Sequence, residues 1–221
     1  YLERMWEVCQ ANDILFVADE VVTAFGRLGQ WFASESVFNI QPDIITTAKG
    51  LTSGYQPLGA TIFSERIWQV ISAPGHDRYF AHGFTYTGHP VACRAALKNI
   101  EIIENEGILE HVREVGPYFL KQLKTLEQLP IVGEVRGNHF MVCIENVANK
   151  ETRALFGDDI DIGQRITDEC ARRGVLIRPI GHLNVLSPSL ILTIEEIDRI
   201  VATLGDGIST VMSRLESEGL W

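Results

Sequence analysis

Lys49 and Asp19 are the two residues whose type and placement could do chemistry together. Lys49 closes the apolar run DIITTAK (43–49) and opens a stretch punctuated by glycines, TTAKGLTSGYQPLGA (46–60). Asp19 closes a second apolar run, ILFVAD (14–19). Short, nearly all-apolar runs of this kind suit strands buried on both faces of a parallel sheet. In open parallel sheets, ligands gather outside the carboxyl ends of the strands, where both charges would fall. Taken singly, each residue is accounted for as a solvated charge ending a strand. Taken together, an amine and a carboxylate facing one crevice can serve opposite ends of a polar aromatic ring.

Pyridoxal phosphate is such a ring. It needs a lysine amine for an imine and often an aspartate to keep its pyridinium nitrogen protonated. Gly50, Gly54 and Gly59 would permit tight turns and close approach to a flat ligand, although a flexible loop explains them as well. A phosphate site is sought separately in GFTYTGHP (83–90), where Thr85 and Thr87 offer hydroxyls and a helix begins near Pro90. A helix N-terminus favours anions, and ordinary capping by Ser or Thr is the competing account. Arg178, in VLIRPIG, follows an apolar strand and suits bidentate recognition of a carboxylate, or else a surface ion pair. His76, His82, His89 and Cys93 match no tight zinc spacing, so no metal is expected. Neither GxSxG nor GxGxxG occurs, which leaves serine-hydrolase and nicotinamide-dehydrogenase readings without anchors.

The elements that must hold these residues follow from periodicity. The chain opens on an amphipathic segment with Leu2, Met5, Trp6 and Val8, as if a helix were already under way, and without an initiating Met; a piece of a longer polypeptide is expected. A short helix is expected around 32–38 and a third strand at ATIFS (60–64). Helices are expected over 89–104, with Pro90 in the first turn, and again after Gly107, with Ile108, Val112, Val115, Phe119, Leu123 and Leu126 on one face. IVGEVRGNHFMVCIE then reads as a hairpin turning at Arg136-Gly137-Asn138. A helix near 160–173, the strand VLIRP, a turn at Gly181 and a terminal helix from Glu195 to about Leu215 complete the pattern. The expected architecture is α/β: residues 1–106 as part of a ligand-binding domain with a mostly parallel sheet, and residues 107–221 as a smaller α+β domain.

The whole-chain properties set the class. The 221 residues, 46% of them hydrophobic, suffice for a real core, and a formal charge of −10 argues against nucleic acid or an anionic membrane as partner. Small-molecule chemistry is the better default. Four scattered cysteines without a CxxC pair fit a reducing, cytoplasmic setting.

LFVADEVVTAFGRLG, PDIITTAKGLTSGYQPLGA, HGFTYTGHPVA, GEVRGNHFMVCIE and RPIGHLNVLSPSLILTIEEID together resemble the class III pyridoxal-phosphate aminotransferases of fold type I, over essentially the whole chain. HGFTYTGHP with IRPIGHLNVLSPSL is most similar to the ω-transaminases that use pyruvate as amino acceptor. The resemblance implies that Lys49 carries the cofactor as an aldimine, Asp19 pairs with its ring nitrogen and Val21 packs on a ring face. It implies that Thr85, beside the Phe84 backbone, binds the phosphate across a homodimer interface, and that Arg178 clasps a substrate carboxylate. The implied activity moves an amino group from an amine or amino acid to a keto acid. An aminomutase or decarboxylase of the same fold, or an inactive fragment keeping only a dimer contact, are the alternatives. Ala24, Leu28 and Ser189 stand where the family commonly has Gly, Thr and Pro. The family's N-terminal half, with its glycine/serine phosphate loop and ring-stacking aromatic residue, is not in this sequence.

Overall fold

The computed structural model describes residues 1–75 and 80–221; His76 lies outside the described residues. The chain divides into two compact units, Tyr1–Leu109 and Glu110–Trp221.

The first unit begins with α1 (Leu2–Ala11), β1 (Val17–Asp19), α2 (Ala33–Ser36) and β2 (Ile44–Thr47). A single 3₁₀ turn (Lys49–Leu51) follows, then β3 (Ala60–Phe63), α3 (Glu65–Ile71) and α4 (Pro90–Asn105). The sheet order is β1-β2-β3. β1 and β2 run parallel, with Asp19 opposite Thr46, whereas β2 and β3 run antiparallel, with Thr47 opposite Ala60. The parallel pair has room for its crossover, because residues 20–43 separate the two strands. The β2–β3 connection contains one 3₁₀ turn and no crossover helix, so the chain folds straight back.

Burial of the first run is less complete than its composition predicts. Ile14, Leu15 and Val17 remain 51%, 46% and 54% exposed, at and just before the outer strand β1 of the three-stranded sheet. The helix α4 starts on Pro90 at its first position, where a missing N–H costs nothing. It buries Ala92, Ala96 and Ile103 at helical spacing. The helix α3 has no buried residue.

The second unit holds nearly all of α5 (Ile108–Lys124), then β4 (Val132–Asn138), β5 (Met141–Asn146), α6 (Ile162–Arg172), β6 (Arg178–Ile180), β7 (Leu183–Leu186) and α7 (Ile194–Glu218). Its sheet, β4-β5-β7-β6, is antiparallel throughout. Phe119 and Leu123 of α5, Val142 and Ile144 of β5, Ile166 of α6 and Leu204, Ile208 and Leu215 of α7 form its buried core. A reciprocal capping box between Thr193 and Glu196 starts α7, and Gly219 at φ 68° ends it.

The β4–β5 hairpin turns two residues later than the sequence indicates. Asn138 pairs with Met141, so His139 and Phe140 make the turn, with His139 at φ 45°. Gly137 is instead a strand residue at φ 153°, where a Cβ would fall 2.2 Å from the Met141 carbonyl oxygen. Glycine is needed there for close cross-strand approach and not for the turn. The strand expected at VLIRP begins only at Arg178 and pairs with β7, which the sequence pattern did not separate.

Candidate active site

In the first unit, Asp19 and Lys49 come to the same end of the sheet. Because β1 and β2 are parallel and in register from Val17–Ile44 to Asp19–Thr46, both strands deliver their following residues to one end. Asp19 is exposed and its Oδ1 accepts a hydrogen bond from the Val21 amide at 3.0 Å. That bond fixes the carboxylate at the strand end and leaves Oδ2 open among the described residues. Val21, half-buried, sits in the turn that makes this bond.

Lys49 is exposed, and among the described residues its amine has no hydrogen-bond or ion-pair partner. Its backbone lies at φ 38°, which a residue with a Cβ adopts at a cost of about 1–2 kcal/mol. Strain of this kind persists only where surrounding structure imposes it, and the surroundings are specific. A Cβ on Gly50 would stand 2.9 Å from the Phe25 Cβ and 3.3 Å from the Ala24 carbonyl oxygen, so the turn rests directly on residues 24–25. From the other side, Asn99 of α4 donates to the Gly50 and Leu51 carbonyls at 2.8 and 3.2 Å and accepts from the Ser53 hydroxyl at 2.7 Å.

The base beneath Gly50 is itself tied down. Phe25, buried and at φ 56°, packs edge-on against Trp31 and Phe32, while its amide bonds the Trp31 carbonyl at 2.8 Å. Glu20, 3% exposed, accepts from the Ala33 and Ser34 amides at 2.7 and 2.8 Å. It also accepts from the Thr23 hydroxyl at 3.0 Å and from the Ser34 hydroxyl. Neither Glu20 nor Asn99 stood out in the sequence. A carboxylate next to Asp19 and an amide on a helix carry no mark of burial.

Phe84 and Thr85 lie in a separate, exposed turn leading into α4. The Phe84 amide donates to the Thr87 hydroxyl oxygen at 2.7 Å, and its carbonyl accepts from the Thr87 amide at 2.9 Å. The Phe84 N–H is thus engaged within the turn, whereas the Thr85 hydroxyl has no partner among the described residues. Phe84 also stands edge-on to His82 at 5.7 Å. No hydrogen bond among the described residues joins this turn to Asp19 or Lys49.

Arg178 belongs to the second unit, at the start of the edge strand β6, paired with Val185. It is exposed, and its guanidinium has no hydrogen-bond or ion-pair partner among the described residues. By register, Arg136, Cys143, Val185 and Arg178 form one row across the sheet. Arg136 differs from Arg178 in being neutralised by Glu145 and by Glu134 at 3.2 Å, and its hydrogen bond to the Glu145 carboxylate holds Glu145 below the usual range. Beneath the β6–β7 turn, buried Asn184 donates to the Gly163 carbonyl at 2.9 Å and to the Thr167 hydroxyl at 3.2 Å. A groove of about 310 Å³ beside Arg178 is lined by apolar side chains including Val175, Ile177, Pro188 and Ile200. No group of His, Cys, Asp and Glu among the described residues could hold a metal ion, and no helix is long and apolar enough to cross a membrane.

The family Aminotransferase class-III matches residues 1–208. An uncharacterized aminotransferase of Sinorhizobium fredii is 43% identical over 98% of this chain and 48% of its own length. A gamma-aminobutyrate transaminase of Oryza sativa is 39% identical over 97% of this chain and 42% of its own. The structure of an amine transaminase from an uncultivated Pseudomonas species, with pyridoxal phosphate bound, superimposes with a TM-score of 0.90 at 42% identity, over 96% of this chain and 48% of that one. The chain therefore spans about half the length of the relatives it matches. It belongs to the class III aminotransferases, a pyridoxal-phosphate-dependent family of fold type I.

Proposed function

We propose that this chain supplies the catalytic lysine and part of the cofactor and substrate contacts of a transaminase that moves an amino group from an amine or amino acid to a keto acid, with pyruvate as the acceptor. The observation that carries the proposal is the Lys49 amine, without a partner among the described residues and held in a left-handed turn, at the same end of the sheet as the half-open carboxylate of Asp19 on the adjoining parallel strand. This donor set fits pyridoxal phosphate: a free amine for its aldehyde and a carboxylate for its ring nitrogen.

Pyridoxal phosphate, when bound, supplies an electron sink for the C–H bond beside the transferred nitrogen. Lys49 Nζ would be the residue that holds the cofactor covalently, and its amine, when free, would serve as the base and acid that move that proton. Asp19 Oδ2 would accept from the protonated ring nitrogen, while the Val21 amide keeps Oδ1 in place. Val21 would pack on a ring face. The Thr85 hydroxyl would donate to the phosphate. The Phe84 amide can join it only by releasing the Thr87 oxygen. Arg178, uncommitted within its own unit, takes the carboxylate of the keto acid as a bidentate partner. In this reading residues 1–106 are the cofactor-binding part, residues 107–221 the small domain, and the working form is a homodimer.

The test uses the natural polypeptide that carries this sequence. It should show a visible absorbance band with pyridoxal phosphate, and borohydride should fix the cofactor at Lys49 in a peptide map. With an amine donor and pyruvate, alanine should form one-for-one with the carbonyl product, which also separates transamination from isomerisation or loss of carbon dioxide. Lys49→Ala should abolish turnover; full turnover by Lys49→Ala overturns the proposal.

A further inference from the structure

We propose that Glu20 is a positioning residue for this chemistry: its buried carboxylate holds the 20–34 loop closed, and the loop in turn sets both the carboxylate of Asp19 and the backbone of Lys49. The inference rests on the transaminase reading given above.

The main chain of Glu20 is sewn to the end of β2. Its amide donates to the Thr46 carbonyl at 2.8 Å, and its carbonyl accepts from the Ala24 amide at 3.1 Å and the Thr47 hydroxyl at 3.4 Å. Its side chain is sewn to the far end of the same loop, where both carboxylate oxygens accept from the first amides of α2 and from two hydroxyls. One residue thus pins the two ends of the loop together. The span between them carries Ala24 and Phe25, the surface on which Gly50 rests with no room for a Cβ.

The consequence for Lys49 is direct. Its φ of 38° is not a low-energy choice for lysine and is held by the neighbouring contacts of Gly50 with residues 24–25 and with Asn99. The consequence for Asp19 is shorter still, since the two residues are adjacent and the Asp19–Val21 bond spans Glu20. A carboxylate is required chemically because each of its two oxygens accepts from a backbone N–H, which can only donate. An amide at this position would turn an NH₂ toward a backbone N–H that then loses its acceptor. A plain helix cap would predict lost stability with unchanged catalysis by the molecules that remain folded. A positioning role predicts altered catalysis in folded protein.

Glu20→Gln and Ser34→Ala, made in the natural polypeptide, separate the two. Folded Glu20→Gln should lose about tenfold to a hundredfold in kcat, as displacements near 1 Å do. KM for pyruvate should stay within about twofold, and affinity for pyridoxal phosphate, read by absorbance titration, should fall about tenfold, the effect of one lost charge-assisted bond. Ser34→Ala removes one hydroxyl donor and should move the same quantities less. Folded Glu20→Gln with wild-type kcat and cofactor affinity overturns the inference. If Glu20→Gln does not fold, Ser34→Ala with wild-type kcat overturns it. Wild-type protein lacking the borohydride-sensitive band overturns the transaminase reading and this inference with it, whereas a normal band with unchanged variants overturns the inference alone.

Discussion

Gly50→Ala sets two effects of opposite sign against each other. The φ of Gly50 lies outside the left-handed region, so alanine is conformationally admissible and by itself would stabilise the protein by about 0.4–1 kcal/mol through the unfolded chain. Against this stands the new methyl, 2.9 Å from the Phe25 Cβ and 3.3 Å from the Ala24 oxygen. Neither atom lies at the far end of a flexible side chain, so the turn must lift by roughly 0.5–1 Å to restore ordinary contact, at about 1–3 kcal/mol for an overpacked site. Lifting it also strains the Asn99 bonds to the Gly50 and Leu51 carbonyls, each contributing about 1 kcal/mol. The net expectation is a loss of about 1–3 kcal/mol in urea unfolding. Because Lys49 precedes Gly50, turnover should fall by up to about a hundredfold. Gly59→Ala is the comparison: its Cβ meets the Thr47 oxygen at 3.3 Å and the Ala48 Cβ at 3.8 Å, away from the 24–25 loop, so its effect should be smaller on both readouts. Gly50→Ala with wild-type stability and turnover would refute the packing of the lysine turn on that loop.

In the second unit, Gly163→Ala should cost about 2–4 kcal/mol despite alanine's better helix propensity, because its Cβ would meet the Gly181 oxygen at 2.3 Å and displace the Asn184–Gly163 bond; urea unfolding showing a gain would contradict this. Glu169, 3% exposed, receives Arg172, Arg173 and Arg214. Its hydrogen bond from Arg173 leads the causes that hold its carboxyl below the usual range. With its folded value depressed, its contribution is complete above the ordinary carboxylate range and is lost as pH falls through the folded value. Glu169→Gln should therefore cost about 1–3 kcal/mol at neutral pH, discounted because the arginines stay partly in water, and the gap from wild type should close in acid.

The parts legible in the sequence were those where composition and position coincide. Two apolar runs ending in Asp19 and Lys49 announced neighbouring strands with charges at one end, and α4 and α5 followed from apolar stripes with Pro90 and Gly107 near their starts. What stayed hidden depended on which atoms approach which. The left-handed backbone of Lys49, the burial of Glu20 beside an exposed Asp19, and the grip of Asn99 on the lysine turn are properties of packing, invisible to residue type. The β4–β5 turn was misplaced because Gly137 advertises a turn while serving a tight strand crossing, and the real turn uses His139 and Phe140. The reversal of β3 reflects a connection without a crossover helix, which periodicity does not report.

Pro179 lies in β6, the outer strand of the second sheet. Lacking an N–H, it interrupts the row of donors an outer strand would otherwise present, and Arg178 adds a charge beside it. A foreign strand seeking to extend the sheet there would find a missing hydrogen bond and a guanidinium to desolvate. Pro179 and Arg178 thereby protect the sheet against aggregation through that edge.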